Sequence, residues 1–213
     1  MQSYQRILSQ NKDWATEKSS LNPDFFEKLV DDQHPNFLWI GCSDSRVPAD
    51  QVTGTQPGEI FVHRNVANLV HHTDMNLLSV LQYAVEVLKV KHILVVGHYN
   101  CGGIKAAMGN HDYGLISNWL HNVKNVYEKH AAELNKIEDE HQRLDRLTEL
   151  NVIEQVNNLT ETTIIQGAWH RNKDKNQFPQ LHGWVFDMKT GFIKPIIEVN
   201  PSIKMKDIYK FDF

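Results

Sequence analysis

Two short runs hold the residues with the most chemistry in them, Cys42-Ser43-Asp44-Ser45-Arg46 and His98-Tyr99-Asn100-Cys101-Gly102-Gly103. Together they offer two thiols and an imidazole, the donor set of a zinc site that keeps a fourth position open for chemistry. Two residues separate His98 from Cys101, so both can reach one ion, whereas Cys42 lies far upstream and must arrive through the fold. Thiolate with imidazole suits zinc best among the common metals. Asp44 and Arg46 flank Cys42, and a guanidinium beside a carboxylate keeps it ionised and oriented. Plainer readings stand beside this one. A lone cysteine after a strand is commonly a small buried hydrophobe, and an Asp-Arg pair is commonly a surface ion pair. A nucleophilic Cys42 is a further reading, but Arg46 follows too closely for a phosphatase-type loop and Pro48 removes a nearby amide.

Each run follows a glycine that ends a short apolar segment, residues 37–41 and 92–97. Such segments suit strands buried on both faces of a parallel sheet, whose carboxyl edge is where ligand sites form. Residues 59–63 supply a third strand. Thr73-Asp74 opens a helix in which Leu77, Leu78, Leu81, Ala84, Val85 and Leu88 recur at helical spacing. Strand and helix alternate here, which argues for an α/β fold with a mainly parallel central sheet flanked by helices. Residues 115–160 read as helical throughout, the charge-rich stretch 128–149 being a solvated helix face. Residues 181–186 and 192–199 read as strands joined at Lys189-Thr190-Gly191. Near the N-terminus, Asn22-Pro23-Asp24 opens a helix running through Phe25, Phe26, Leu29 and Val30, behind a helical arm. Residues 172–180 read as an exposed loop.

With 213 residues and 41% hydrophobic content the chain can bury one substantial core. The expected organisation is a single domain over 1–213: an N-terminal helical arm (1–34), an α/β core (35–200) and a C-terminal tail (201–213). A net charge of -4 from well-mixed charges leaves no basic face for nucleic acid or anionic lipid. No stretch approaches the roughly 18 apolar residues of a membrane span, and the polar residues 1–20 lead us to expect a cytoplasmic protein. Both cysteines lie in the two runs, which favours metal or redox chemistry over a disulfide.

Cys-Ser-Asp-Ser-Arg followed by Gly-His-x-x-Cys-Gly-Gly resembles the β-class carbonic anhydrases of bacterial type. The resemblance also takes in Gln33 to Arg46, Phe61 to Asn68, Tyr83, Leu150 to Val156 and Leu181 to Trp184. It implies one zinc ion per subunit on Cys42, His98 and Cys101, with water or the Asp44 carboxylate in the fourth position. It implies reversible hydration of carbon dioxide to bicarbonate through attack by zinc-bound hydroxide. Two thiolates already cancel the metal's charge, so such a site pulls on its water less than three neutral histidines would. Asp44 and Arg46 answer this need. Held by Arg46, Asp44 accepts a hydrogen bond from the water; released, it ligates zinc and switches the enzyme off. The resemblance further assigns Phe61, Val66 and Tyr83 as apolar substrate walls and Gln33 as a hydrogen-bond donor to substrate or bicarbonate. Ordinary core packing is the other reading of those three walls. A dimer is implied as the minimum active unit, with a tetramer as an alternative. Gly102 and Gly103 fit close backbone approach to the metal and a helix start.

Some bacterial members carry a second, inhibitory bicarbonate pocket built from a Trp, an Arg and a Tyr. Trp39 and Arg64 match the first two, but Phe186 stands at the third, without a hydroxyl. One hydrogen bond to a charged ligand contributes roughly 1.5 to 3 kcal/mol, so bicarbonate inhibition is expected to be blunted by about tenfold or more. The loop at 172–180 reads as longer, and the tail after Pro201 as shorter, than the family's usual pattern. His71, His72, His111, His121, His130 and His141 read as exposed helix or loop residues, any one near the site mouth being a proton shuttle. Two other functions compete: a relative that hydrolyses small carbon-sulfur substrates, which Gln33, Phe61 and Tyr83 do not favour, and a zinc-stabilised scaffold with four permanent protein ligands.

Overall fold

The computed structural model describes residues 3–172 and 179–213, in two units, Met1–His34 and Pro35–Phe213. The first unit holds helix α1 (Ser3–Leu21), none of whose residues is buried, and the short α2 (Glu27–Val30). Trp14, Phe25 and Phe26 pack edge to face in it, with ring centroids 5.1 to 6.1 Å apart. The helix expected from residue 22 starts only at Glu27. The amide of Phe25 bonds the Asn22 carbonyl and that of Leu29 bonds Phe26, the three-residue closure of turns, so the segment opens as turns before one helical turn forms.

The second unit is built on a five-stranded sheet in the order β2-β1-β3-β4-β5. Its strands are β1 (Phe37–Cys42), β2 (Ile60–Asn65), β3 (His92–His98), β4 (Gln180–Asp187) and β5 (Phe192–Val199). The first four run parallel, and β5 returns antiparallel on β4 through a turn containing Gly191 at φ 75. Leu38, Ile40, Ile93, Val95, Leu181 and Val185 pack into the main core, while Trp39, Leu94 and Val96 alternate with them in a second cluster. Apolar contact on both faces is why the two segments that precede the cysteine and histidine runs read as unbroken apolar stretches.

Helix α3 (Ala49–Thr53) follows β1, and α4 (Met75–Gln82) is capped by Asp74, whose side chain accepts from the amides of Asn76 and Leu77. A π-helical turn at Tyr83–Val87 continues it. After β3 come α5 (Gly102–Met108), α6 (Leu115–Lys129), α7 (Ala131–Leu134), α8 (Glu140–Thr160) and α9 (Thr163–Arg171). The region read as one helical stretch over 115–160 is thus broken twice. The His130 amide closes α6 on Val126 and Tyr127, while its carbonyl starts α7. Asp139, out of helical conformation, caps α8 through the Gln142 amide. Helix α8 sends Val152, Val156 and Leu159 into the main core and Leu144, Leu147 and Leu150 into the cluster around the two cysteines. Of the loop expected over 172–180, residues 173–178 lie outside the described residues.

Candidate metal centre

β1 and β3 are neighbours, and their register sets Gly41 opposite Val96. Cys42 and His98, distant in sequence, therefore leave the sheet side by side at its carboxyl edge. Asn100, at φ 57, turns the chain back so that Cys101 sits just before α5. The three ligand atoms lie within 4.8 Å of one another and all three residues are buried, the one such grouping of three or more His, Cys, Asp or Glu among the described residues.

The protonation pattern fits a cation. The two sulfurs are 3.8 Å apart, too close for both to lose protons without positive charge between them. Cys42 is held well below the usual thiol range, first by the Cys101 thiol that donates to it, against burial, with help from His98 and the amides of Asp44 and Ala67. Cys101 is pushed the other way, by Cys42 first and then by burial. The two thiols are thus pushed in opposite directions by their closeness, a donor pair that suits a divalent cation between them. His98 carries the same message. Its Nδ1 lies 3.0 Å from the Tyr99 carbonyl oxygen; a carbonyl only accepts, so Nδ1 carries a hydrogen, and in the neutral ring Nε2 is the nitrogen with the lone pair. That Nε2 is buried with no partner, a costly state for a polar atom unless something binds it.

Asp44 stands beside this group, its Oδ2 3.7 Å from His98 Nε2. Both its oxygens are taken by Arg46: Nε to Oδ1 at 2.9 Å and a terminal guanidinium nitrogen to Oδ2 at 2.6 Å, with the Arg46 amide adding a bond to Oδ1 at 3.0 Å. Arg46 first, against modest burial, holds the Asp44 carboxyl well below the usual carboxylate range.

A carbonic anhydrase family model matches residues 37–193 of this sequence, spanning both runs, the strands β1 to β4 and the first two residues of β5. The carbonic anhydrase of Emericella nidulans is 46% identical over 209 residues, which cover 98% of this chain and 90% of that protein. The chain belongs to the carbonic anhydrase family. Among solved structures, one of the two tetrameric β-carbonic anhydrases of the filamentous ascomycete Sordaria macrospora superposes with a TM-score of 0.87 at 41% identity, covering 93% of this chain and 99% of that one. Coccomyxa β-carbonic anhydrase in complex with acetazolamide gives a TM-score of 0.87 at 39% identity, over 93% and 89%. This carbonic anhydrase is of the β class, and β-carbonic anhydrases are zinc enzymes.

Around its metal centre the enzyme fixes a second loop, from Val66 to Asn68, in which Ala67 and Asn68 both take positive φ. Asn65 spans it with its side chain, accepting from the Leu69 amide and donating to the Leu69 carbonyl, each at 2.7 Å. Trp119 Nε1 donates to the Val66 carbonyl and Asn151 Nδ2 to that of Ala67. These bonds hold the left-handed backbone that lets the Ala67 amide reach Cys42. Asn65, Ala67 and Asn151 lie within the stretches that resemble the family, but no local pattern signals a loop held from two distant helices.

The three expected walls fall in two places rather than one. Phe61 packs on the main core, with its ring 5.9 Å from that of Tyr83, which is half exposed. Val66 packs against the cluster around the cysteines. Gly102 and Gly103 open α5; a Cβ at Gly103 would lie 2.9 Å from Val66 Cγ1, and one at Gly102 would meet nothing within 4 Å. Gln33 belongs to the first unit.

Trp39 is buried with its indole N–H unpartnered. Arg64 donates to the carbonyls of Cys42, at 2.9 Å, and Asp44, so it braces the metal run from β2. Phe186 is buried, and its carbonyl accepts from the Tyr99 amide at 3.1 Å. Among the histidines, His130 departs from expectation: it is half-buried and 2.8 Å from Glu154. His71 is likewise only partly exposed and binds the Thr73 hydroxyl. The 128–149 stretch is not wholly a solvated face either, since Glu149 is largely buried among Tyr99, Arg146 and Lys194.

Proposed function

We propose that this enzyme interconverts carbon dioxide and bicarbonate at one zinc ion per subunit, held by Cys42, His98 and Cys101, with Asp44 and Arg46 governing the fourth position. The observation that carries the reading is the convergence of those three donors beside a carboxylate whose oxygens are both engaged by Arg46. Zinc, when bound, supplies the Lewis acidity that makes a water a nucleophile near neutral pH. With zinc bound, Asp44 would accept a hydrogen bond from the attacking water and orient it, a role open to it while Arg46 holds both carboxylate oxygens. The amides of Asp44 and Ala67 on Cys42, and of Gly103 and Ile104 on Cys101, draw charge from the thiolates and so offset part of the electron donation that would weaken the site. The family resemblance supports Phe61, Val66 and Tyr83 as apolar walls for a small substrate and Gln33 as a hydrogen-bond donor to substrate or bicarbonate, these groups being supplied partly by a neighbouring subunit.

Arg64 links this centre to a regulatory pocket. Its guanidinium holds the Cys42 and Asp44 carbonyls, and the unpartnered Trp39 N–H is a donor free to meet an anion. Bicarbonate drawn to both would compete for Arg64 and loosen the Asp44 segment, with Phe186 supplying no hydroxyl to help. Assembly into dimers or tetramers is supported by the tetrameric Sordaria enzymes.

The test is carbon dioxide hydration by stopped flow across pH, with zinc content measured on the same sample. Zinc-loaded protein that turns over, increasingly so at alkaline pH, supports the reading; zinc-loaded protein inactive even at alkaline pH refutes it.

A further inference from the structure

We propose that Tyr99 is a positioning residue for the metal centre and that Glu149 is its anchor, fixing the geometry of the His98–Cys101 segment from helix α8. The inference rests on the zinc reading above.

Tyr99 lies between two ligands and is tied at three points. Its amide donates to the Phe186 carbonyl of β4, extending the sheet one residue past His98. Its carbonyl takes the His98 Nδ1 hydrogen and so sets the tautomer and ring orientation that leave Nε2 for the metal. Its hydroxyl donates to Glu149 Oε1 at 2.7 Å. The third tie is the one that locks the other two. An amide bond alone lets the peptide swing about the strand end, and the next residue, Asn100, turns the chain at φ 57, a left-handed conformation that asparagine adopts more readily than most residues. A side chain pinned at its far end removes that swing.

The anchor is itself built. Glu149 Oε1 also accepts from Lys194 Nζ at 2.7 Å, and Oε2 from Arg146 at 2.9 Å, while Arg146 reaches on to Glu133. The carboxylate is 13% exposed, and burial pushes its pKa up, yet the bonds from Lys194, Tyr99 and Arg146 outweigh burial and keep it below the ordinary value. Glu149 is therefore a charged acceptor held from α8 and β5 at once, the arrangement that fixes a phenol most firmly. Nothing in the hydration chemistry uses this group, and its placement behind the metal segment is what gives it a role.

The test compares zinc-loaded wild type with Tyr99→Phe, Glu149→Ala and Glu149→Gln. Tyr127→Phe is the control: it loses an equivalent hydroxyl bond, to Asn135, on a helix that bears no ligand. Two readouts are taken: the rate of zinc loss to an excess of chelator, and the absorption bands of the cobalt(II)-substituted proteins. Loss of a group that orients a ligand typically costs 10- to 100-fold in metal affinity. Tyr99→Phe and Glu149→Ala are expected to lose zinc at least about tenfold faster, with shifted cobalt ligand-field bands. Glu149→Gln, which keeps an acceptor for the hydroxyl, is expected to recover most of the wild-type spectrum, and Tyr127→Phe to match wild type. Should Tyr99→Phe fail to fold, Glu149→Ala carries the comparison alone. Zinc loss and spectra at wild-type level in both, or equal acceleration in Tyr127→Phe, overturn the positioning role. Wild type that holds no stoichiometric zinc instead overturns the metal reading beneath it.

Discussion

Gly97, the residue before His98, is expected to be the most sensitive glycine for the metal centre, and the reason is one side chain on α8. A Cβ at Gly97 would lie 2.7 Å from Val152 Cγ2, and one at Gly183 on β4 would lie 2.7 Å from Val152 Cγ1. Each methyl of Val152 thus occupies a notch left by a glycine, and this brings α8 down onto the sheet. In Gly97→Ala the new methyl falls about 0.7 Å short of the 3.4 Å at which ordinary contact begins, so either α8 lifts or the end of β3 moves. Overpacking of this kind costs about 1 to 3 kcal/mol, which for a chain of this size lowers the melting midpoint by about 2 to 12 °C. Because His98 follows directly, zinc affinity falls with it. Val152→Ala alone deletes two buried methyl groups, at a cost of about 2 kcal/mol. The double variant Gly97→Ala/Val152→Ala removes the clash while filling part of the cavity, so its cost is smaller than the sum by at least about 1 kcal/mol. Thermal midpoints and zinc content of the four proteins complete the cycle. Additive costs, or Gly97→Ala with unchanged zinc affinity, would refute the argument that α8 seats the metal strand through Val152.

Asp44→Asn is expected to retain zinc but to lose at least about tenfold in hydration rate, read by stopped flow with metal analysis; wild-type turnover would end its role. Arg46→Ala frees the Asp44 carboxylate and should lower activity most near neutral pH. Phe186→Tyr supplies the hydroxyl that the Trp39–Arg64 pattern lacks and is expected to strengthen bicarbonate inhibition by about tenfold, and an unchanged inhibition constant counts against the pocket. Burial raises the Glu154 carboxyl, but bonds from Lys129 and His130 outweigh it and leave it below its ordinary 4.5. A depressed carboxyl stabilises the fold above its unfolded value and loses that contribution as pH falls from about 4.5 through the lower folded value. Glu154→Gln should therefore flatten the acid limb of stability against pH, and an identical acid limb in both proteins would contradict this.

The strands were legible because parallel strands covered on both faces read as apolar runs, and residues 37–41 and 92–97 are such runs. The antiparallel β4–β5 pair was legible from its turn at Gly191. Helix ends were read less well. Polar and charged residues continue at helical spacing across His130 and residues 135–139, and only the backbone hydrogen bonds of His130 and the cap at Asp139 show the breaks. Helix α9 was not read at all, and Glu149 looked like one more charge on a solvated face.

The sequence by itself determined the donor set, the carboxylate and guanidinium beside it and the family, because those depend on residue types at short spacings. Tertiary structure alone decided that Cys42 meets His98, since that follows from β1 and β3 lying adjacent in register. It also decided that Asp44 rests on Arg46 rather than in the ligand group, and that Tyr99, Asn65, Trp119 and Asn151 support the loops around the metal. Those supports act through single hydrogen bonds from distant elements, and a bond between residues 50 or 84 positions apart leaves no periodic trace in the chain.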